Sequence, residues 1–189
     1  MLSLDLPLPR ISLILALMEI LEAYHSAFIN EIRRRLVGEC QGRTIKCLDL
    51  LDDSEIWHQP NEHSNSVGNL VLHLCGNVRQ WLFSTLDGRP DIRQRQEEFD
   101  ERRNVSKNEL KKMVVDLMTE VDRLLDTISP EQGLQDYQVQ GFKENGIAIL
   151  THVTEHFSYH VGQITYFVKA HKDLSVGYYE GKNLDIRST

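Results

Sequence analysis

The sequence predicts an all-α protein, a bundle of four long helices, and three observations predict it. Apolar residues recur at intervals of three and four in several separate stretches, the period of one helix face. A Ser106-x-x-Glu109 pair stands just ahead of the best-marked stretch, the pattern of a capping box. With 41% hydrophobic residues among 189, the chain can build one core that buries roughly 70% of the surface its unfolded form exposes. A single domain spanning residues 1–189 is therefore expected.

The first helix is predicted from about Ser12 to Val37, with Leu13, Leu17, Ile20, Leu21, Tyr24, Phe28 and Ile32 at helical spacing. Its run ISLILALMEIL is interrupted by Glu19 and Glu22, well short of the ~20 apolar positions of a membrane span. It reads as a buried helix, with no membrane partner. Gly38 and Gly42 interrupt the pattern before TIKCLDLLDDSEIW, a short helix or a second half of the first, closed by a turn from His58 to Pro60. His58 and His63 belong to this polar connection and are expected to be solvated.

A second helix starts after Asn65 or Ser66 as N-cap and ends near Asp87-Gly88. Residues 89–104 are charged and almost free of apolar side chains, which suggests a long surface connection, either a solvated connector or a site wall. The third helix follows the capping box with Leu110, Met113, Leu117, Val121, Leu124 and Leu125, and it carries no candidate ligand. SPEQGLQDYQVQGFKENG then reads as an irregular crossover or a small hairpin. The fourth helix is predicted from about Gly146 to Lys172, with Ile149, Val153, Phe157, Val161, Ile164 and Val168 flanking a row of histidines.

That row is the most informative part of the chain. In HVTEHFSYHVGQ, residues 152–163, His152, His156 and His160 fall four apart, which sets consecutive Cβ atoms roughly 5 to 6 Å apart on one helix face. Two imidazoles at that separation can close on one divalent metal. The best third ligand is His73, in the middle of the second helix. A lone histidine on an apolar face is usually a satisfied core residue. Three desolvated imidazoles without a metal, however, would leave ring nitrogens unpaired at about 1 to 3 kcal/mol each. Three neutral ligands also leave a fourth position open for water or substrate, as at catalytic zinc.

Around His73, the residues Asn69, Asn77 and Gln80 complete a polar stripe, which makes Asn77 a candidate to support a ligand or contact substrate. A ferritin-like di-iron site fits less well, because Glu55-x-x-His58 runs into a turn and only Glu22-x-x-His25 lies on a long helix. His171 suits the negative end of its helix without further explanation.

A net charge of -7 without a long basic block argues against nucleic acid, and Arg33, Arg34 and Arg35 point around a helix as a solvated face. Cys40, Cys47 and Cys75 are odd in number and unpaired in spacing, which suggests a reducing compartment. MLSLDLPLPR lacks the positive region of a signal peptide, so a cytoplasmic location is expected. No nucleophile-elbow, Walker or dinucleotide-binding glycine motif occurs.

Taken together, LHLCGNVRQW around His73 and EHFSYHVGQI around His156 and His160, with Gly162 and Gln163 following, resemble the DinB-like (DinB/YfiT-like) superfamily of metal-dependent four-helix bundles. The likeness extends from about residue 12 to residue 171. It implies a DinB-like bundle with a long connection between helices two and three, and His73, His156 and His160 as metal ligands. His152 falls one turn upstream of the matched pair. Asn69, Asn77 and Gln163 become the groups expected around the ligands, and zinc or nickel the expected ion, with copper also compatible.

Because relatives include transferases that use bacillithiol, mycothiol or glutathione, and thiol-dependent isomerases of maleylpyruvate type, the resemblance implies a transferase. Its metal would activate a low-molecular-weight thiol, or a water, against a small electrophile. A non-catalytic metal-binding stress or interaction protein is the alternative. A homodimer is expected. Glu155 and Tyr159 are set aside as acid or base, since Glu155 lies about 100° around the helix from His156.

Overall fold

The computed structural model describes residues 8–102 and 104–187. Its first helix outruns the sequence expectation. α1 (Leu8–Arg33) passes through a π-helical stretch (Arg34–Cys40) into α2 (Gln41–Asp49), with helical dihedrals at both junctions. Gly38 and Gly42 do not interrupt it. Each glycine costs about 1 kcal/mol in a helix interior, but Leu36, Cys40, Thr44, Cys47 and Leu48 are buried on the same rod. A fully buried large apolar side chain contributes about 1.5–3 kcal/mol, so packing outweighs propensity.

The expected burial of ISLILALMEIL is overturned. Leu13 is 61% exposed, Ile20 65% and Tyr24 71%, and close packing begins only at Phe28 and Ile29. Length explains this: at 1.5 Å per residue the rod from residue 8 to residue 49 is about 63 Å long, against about 40 Å for α8 (Gly146–Lys172) beside it. The first turns extend past the end of the bundle. The stretch Ser12–Asp49 is also the one helix among the described residues long and apolar enough to cross a membrane.

α3 (Asp53–Ile56) is a single turn closed by a reciprocal cap between Asp52 and Glu55. α4 (Val67–Val78) starts on Ser66, whose hydroxyl accepts from the backbone N–H of Asn69, and continues through a second π-helical stretch (Arg79–Ser84). The charged connection after it contains α5 (Arg95–Asp100), which packs on α4. α6 (Lys107–Leu125) opens on the predicted Ser106/Glu109 capping box. The crossover holds α7 (Pro130–Leu134) and an antiparallel hairpin of β1 (Asp136–Val139) and β2 (Phe142–Asn145). Its turn residues Gln140 and Gly141 have φ of 50° and 83°, the left-handed pair that a two-residue I′ turn requires.

α2 and α4 each pack against both α6 and α8, which sets them diagonally across the bundle. Between the four rods lies one core that includes Leu48, Val71, Leu74, Leu117, Val121, Val153 and Phe157. The all-α bundle expected from periodicity is the fold observed. Its consequence for function is the contact of α4 with α8, because those two helices carry all the candidate ligands.

Candidate metal centre

His73, on α4, is 6% exposed, and its Nε2 lies 3.2 Å from Nε2 of His156 on α8. One turn along α8, His160 brings its own Nε2 to 3.2 Å from the same atom. The ligand nitrogens of all three lie within 4.8 Å of one another. The structure thus brings together the three histidines that the motif picks out. His152 is elsewhere: its ring stacks on Trp81 with centroids 3.8 Å apart.

Hydrogen bonds on the far side of two rings fix their tautomers. His73 Nδ1 lies 3.0 Å from Glu98 Oε2, and a ring nitrogen without a proton would set two acceptors against each other there. Arg93 Nη2 also comes within 3.2 Å of that nitrogen, but it donates to Glu98 Oε2 at 2.9 Å. With the nearer carboxylate deciding, His73 donates from Nδ1 and presents the Nε2 lone pair to the cluster. His160 Nδ1 likewise donates to Gln163 Oε1 at 2.7 Å, freeing its Nε2. His156 can carry at most one proton on Nε2, which satisfies one of the two facing lone pairs. The other is left without a donor, and the buried Nδ1 of His156 has no hydrogen bond.

A cation at the centre removes that conflict. Metal–nitrogen bonds of about 2.0–2.1 Å at the tetrahedral angle set nitrogens about 3.3 Å apart, close to the 3.2 Å found. The electrostatics favour neutral rings as well. Burial, reinforced by the neighbouring His160, His73 and His152, drives the pKa of His156 down to about 3. Burial also lowers His160, partly opposed by its bond to Gln163. Neutral imidazole is the form that binds a metal.

Sequence reasoning missed Glu98, Arg93 and Phe99. The segment around α5 folds over His73: Phe99 packs on the imidazole with centroids 4.9 Å apart, and Arg93 clamps Glu98 with bonds of 2.7 and 2.9 Å. Burial pushes the Glu98 carboxyl up, but hydrogen bonds from Arg93 and His73 outweigh it and hold the group below the usual carboxylate range. Gly76 makes the room, since a Cβ there would fall 1.9 Å from Glu98 Oε1. The length of the connection allows a site wall, as the sequence suggests, and a lone aromatic residue amid the charges of RQRQEEFDERR and a glycine three residues after His73 are signals for these particular residues.

The polar stripe of α4 and the π-helical stretch after it serves this segment. Asn69 Nδ2 donates to the backbone carbonyls of Glu98 and Glu101 at 3.0 and 3.1 Å, while its Oδ1 accepts from the Ser66 hydroxyl at 2.6 Å. Gln80 accepts from Arg93 at 2.9 Å and donates to Asp91. Asn77 is buried with Oδ1 unpartnered. Glu155 and Tyr159 lie exposed on α8.

The comparisons with known proteins agree with this architecture. No curated protein matches the sequence. A crystal structure of a DinB-like protein, YjoA from Bacillus subtilis, superposes with a TM-score of 0.61 at 16% identity, over 81% of this chain and 99% of that one. A DinB-like protein from Bacillus cereus gives a TM-score of 0.52 at 15% identity, over 72% and 88% of the two chains. Residues 23–177 match the family described as "Protein of unknown function (DUF1572)", a stretch that holds every residue of the histidine cluster. The chain belongs to the DUF1572 family and has the fold of DinB-like proteins.

Proposed function

We propose that the protein is a metal-dependent transferase in which His73, His156 and His160 hold a divalent ion, zinc or nickel, and a small thiol is activated for attack on an electrophile. One observation carries the reading: two Nε2 lone pairs, fixed by Glu98 and Gln163, face a third ring nitrogen at 3.2 Å. Held by three neutral imidazoles, such an ion keeps its full charge and lowers the pKa of a coordinated thiol or water toward neutrality.

The chain's own thiols are unsuited to the nucleophile's role. Cys40, Cys47 and Cys75 are free and buried, and burial pushes Cys40 up to about 11 and Cys75 up to about 12. The reactive sulfur would come from a low-molecular-weight cofactor such as bacillithiol, mycothiol or glutathione. In the step proposed, thiol sulfur supplies the electron pair of the new S–C bond, the leaving group departs with the electrons of the bond that breaks, and the thiol proton passes to solvent. Three cysteines without a disulfide between them also support a cytoplasmic location.

Protein purified without a metal-affinity tag is expected to contain about one divalent metal per chain. Thiol consumption with an electrophile panel then compares the loaded protein, chelated protein and His160→Ala. Equal rates in all three would overturn the transferase reading and favour the alternative, a metal-binding protein without turnover.

A further inference from the structure

Beside the histidine cluster, α8, the start of α4 and the segment leading into it border a half-open cavity of about 830 Å³, a volume typical of small-molecule sites. One wall is a platform of flat rings. Phe167 and His171 stack with centroids 5.2 Å apart and planes 12° apart, and His58 leans on both at 6.2 and 5.6 Å. Tyr159 and Tyr166 add two further rings, and Tyr166 is 77% exposed. Among the described residues, no lysine, arginine, aspartate or glutamate lines the space.

Two residues tie the cavity to the cluster. Gln163 lines it, and the same side chain accepts from His160 Nδ1 at 2.7 Å. Gly162 lines it too, in the interior of a long helix where glycine costs about 1 kcal/mol relative to alanine. A Cβ there would meet nothing within 4 Å. What the missing side chain leaves is open space on the cavity wall.

We propose that this cavity binds an uncharged compound with a flat aromatic or quinonoid ring, stacked on the Phe167/His171 platform. Aromatic rings favour offset stacking on such surfaces. A charged ligand would lose hydration without a free counter-ion in the wall, because the charges behind His171, those of Glu55 and Lys172, pair with each other at 2.6 Å. The inference rests on the transferase reading only for its consequence, that the bound ring is the electrophile.

Calorimetric titration of the full-length protein, zinc-loaded and chelated, tests the cavity with 2-naphthol, its saturated counterpart decahydro-2-naphthol, 2-naphthoate and 2-naphthylmethylammonium. One 2-naphthol should bind per chain, with the other three at least about tenfold weaker. Gly162→Leu fills the space while favouring the helix, and should weaken 2-naphthol at least about tenfold with metal content unchanged. Tyr166→Ala, at an exposed position, should weaken it severalfold. Absence of saturable 2-naphthol binding, tighter binding of either ion, or an unchanged affinity in Gly162→Leu would overturn the proposal. Binding of 2-naphthol to protein that takes up no metal would overturn the transferase reading and leave the cavity assignment intact. Metal uptake without 2-naphthol binding would do the reverse.

Discussion

Glu98 accepts a hydrogen bond from His73 Nδ1 at 3.0 Å, and through it a residue of the charged connection sets which nitrogen of a core histidine faces the cluster. Carboxylate partners of this kind raise ligand basicity and hold ring orientation. Glu98→Gln should therefore weaken zinc affinity about 10- to 100-fold, with little change in fold. Glu98→Ala should do the same and also leave Arg93, whose side chain is only 4% exposed, without its ion pair. Breaking a buried pair from one side costs about 3–5 kcal/mol, reduced here because Glu98 itself is partly accessible. Competition titration with a zinc indicator reads the first effect and urea unfolding the second.

Gly76→Ala separates metal binding from stability. Alanine is better in a helix by about 1 kcal/mol, but its Cβ would overlap the Glu98 carboxylate, with Cδ at 2.8 Å and Oε1 at 1.9 Å. The carboxylate has to leave His73. Zinc affinity should fall toward the Glu98→Ala value, while chelated Gly76→Ala unfolds at a urea concentration no lower than that of Glu98→Ala. Unchanged zinc affinity would mean that the contact between Glu98 and His73 does not support the ligand.

Much of this was legible in the sequence because helical periodicity reports a buried face directly. Leu117, Val121, Ile149, Val153 and Phe157 are expected at helical spacing and all lie in the core. The H-x-x-x-H spacing likewise places His156 and His160 on one face before any fold is known. The roles of Arg93 and Glu98 were hidden for a physical reason: charge patterning marks a solvated segment, and nothing local shows that two charges neutralise each other against a histidine 20 or more residues earlier. The exposed turns of α1 were misread because periodicity shows which residues share a face, not whether another helix reaches far enough to cover it.

Acid should destabilise the metal-free protein. His156 falls from 6.5 to about 3 in the folded state, so between those values the unfolded chain binds a proton that the folded chain does not. Stability then rises with pH across that window, and it is lost as pH falls from about 6.5 toward about 3. His152 and His160, lowered chiefly by burial, act in the same sense. Below the ordinary carboxylate range Glu98 adds to the loss, since its folded pKa is depressed. Urea unfolding of chelated protein between about pH 7 and about pH 4 should show a midpoint that drops with acid, and His156→Leu should show a shallower drop. A midpoint independent of pH in the unmodified protein would contradict burial of neutral imidazoles.

The exposed start of the first helix gives a contrast in stability. Leu13 and Ile20 are 61% and 65% exposed, whereas Leu117 is fully buried. An apolar side chain already in water loses no burial free energy when made polar, and surface substitutions of this kind stay within about 0.5 kcal/mol. Leucine-to-alanine changes in a packed core cost about 2–5 kcal/mol through lost transfer free energy and the cavity left behind. Leu13→Gln and Ile20→Gln should thus leave the urea midpoint of dilute protein nearly unchanged, while Leu117→Ala lowers it clearly. A large loss in either glutamine variant would show that these turns are covered in solution, and that the stability measured includes whatever covers them.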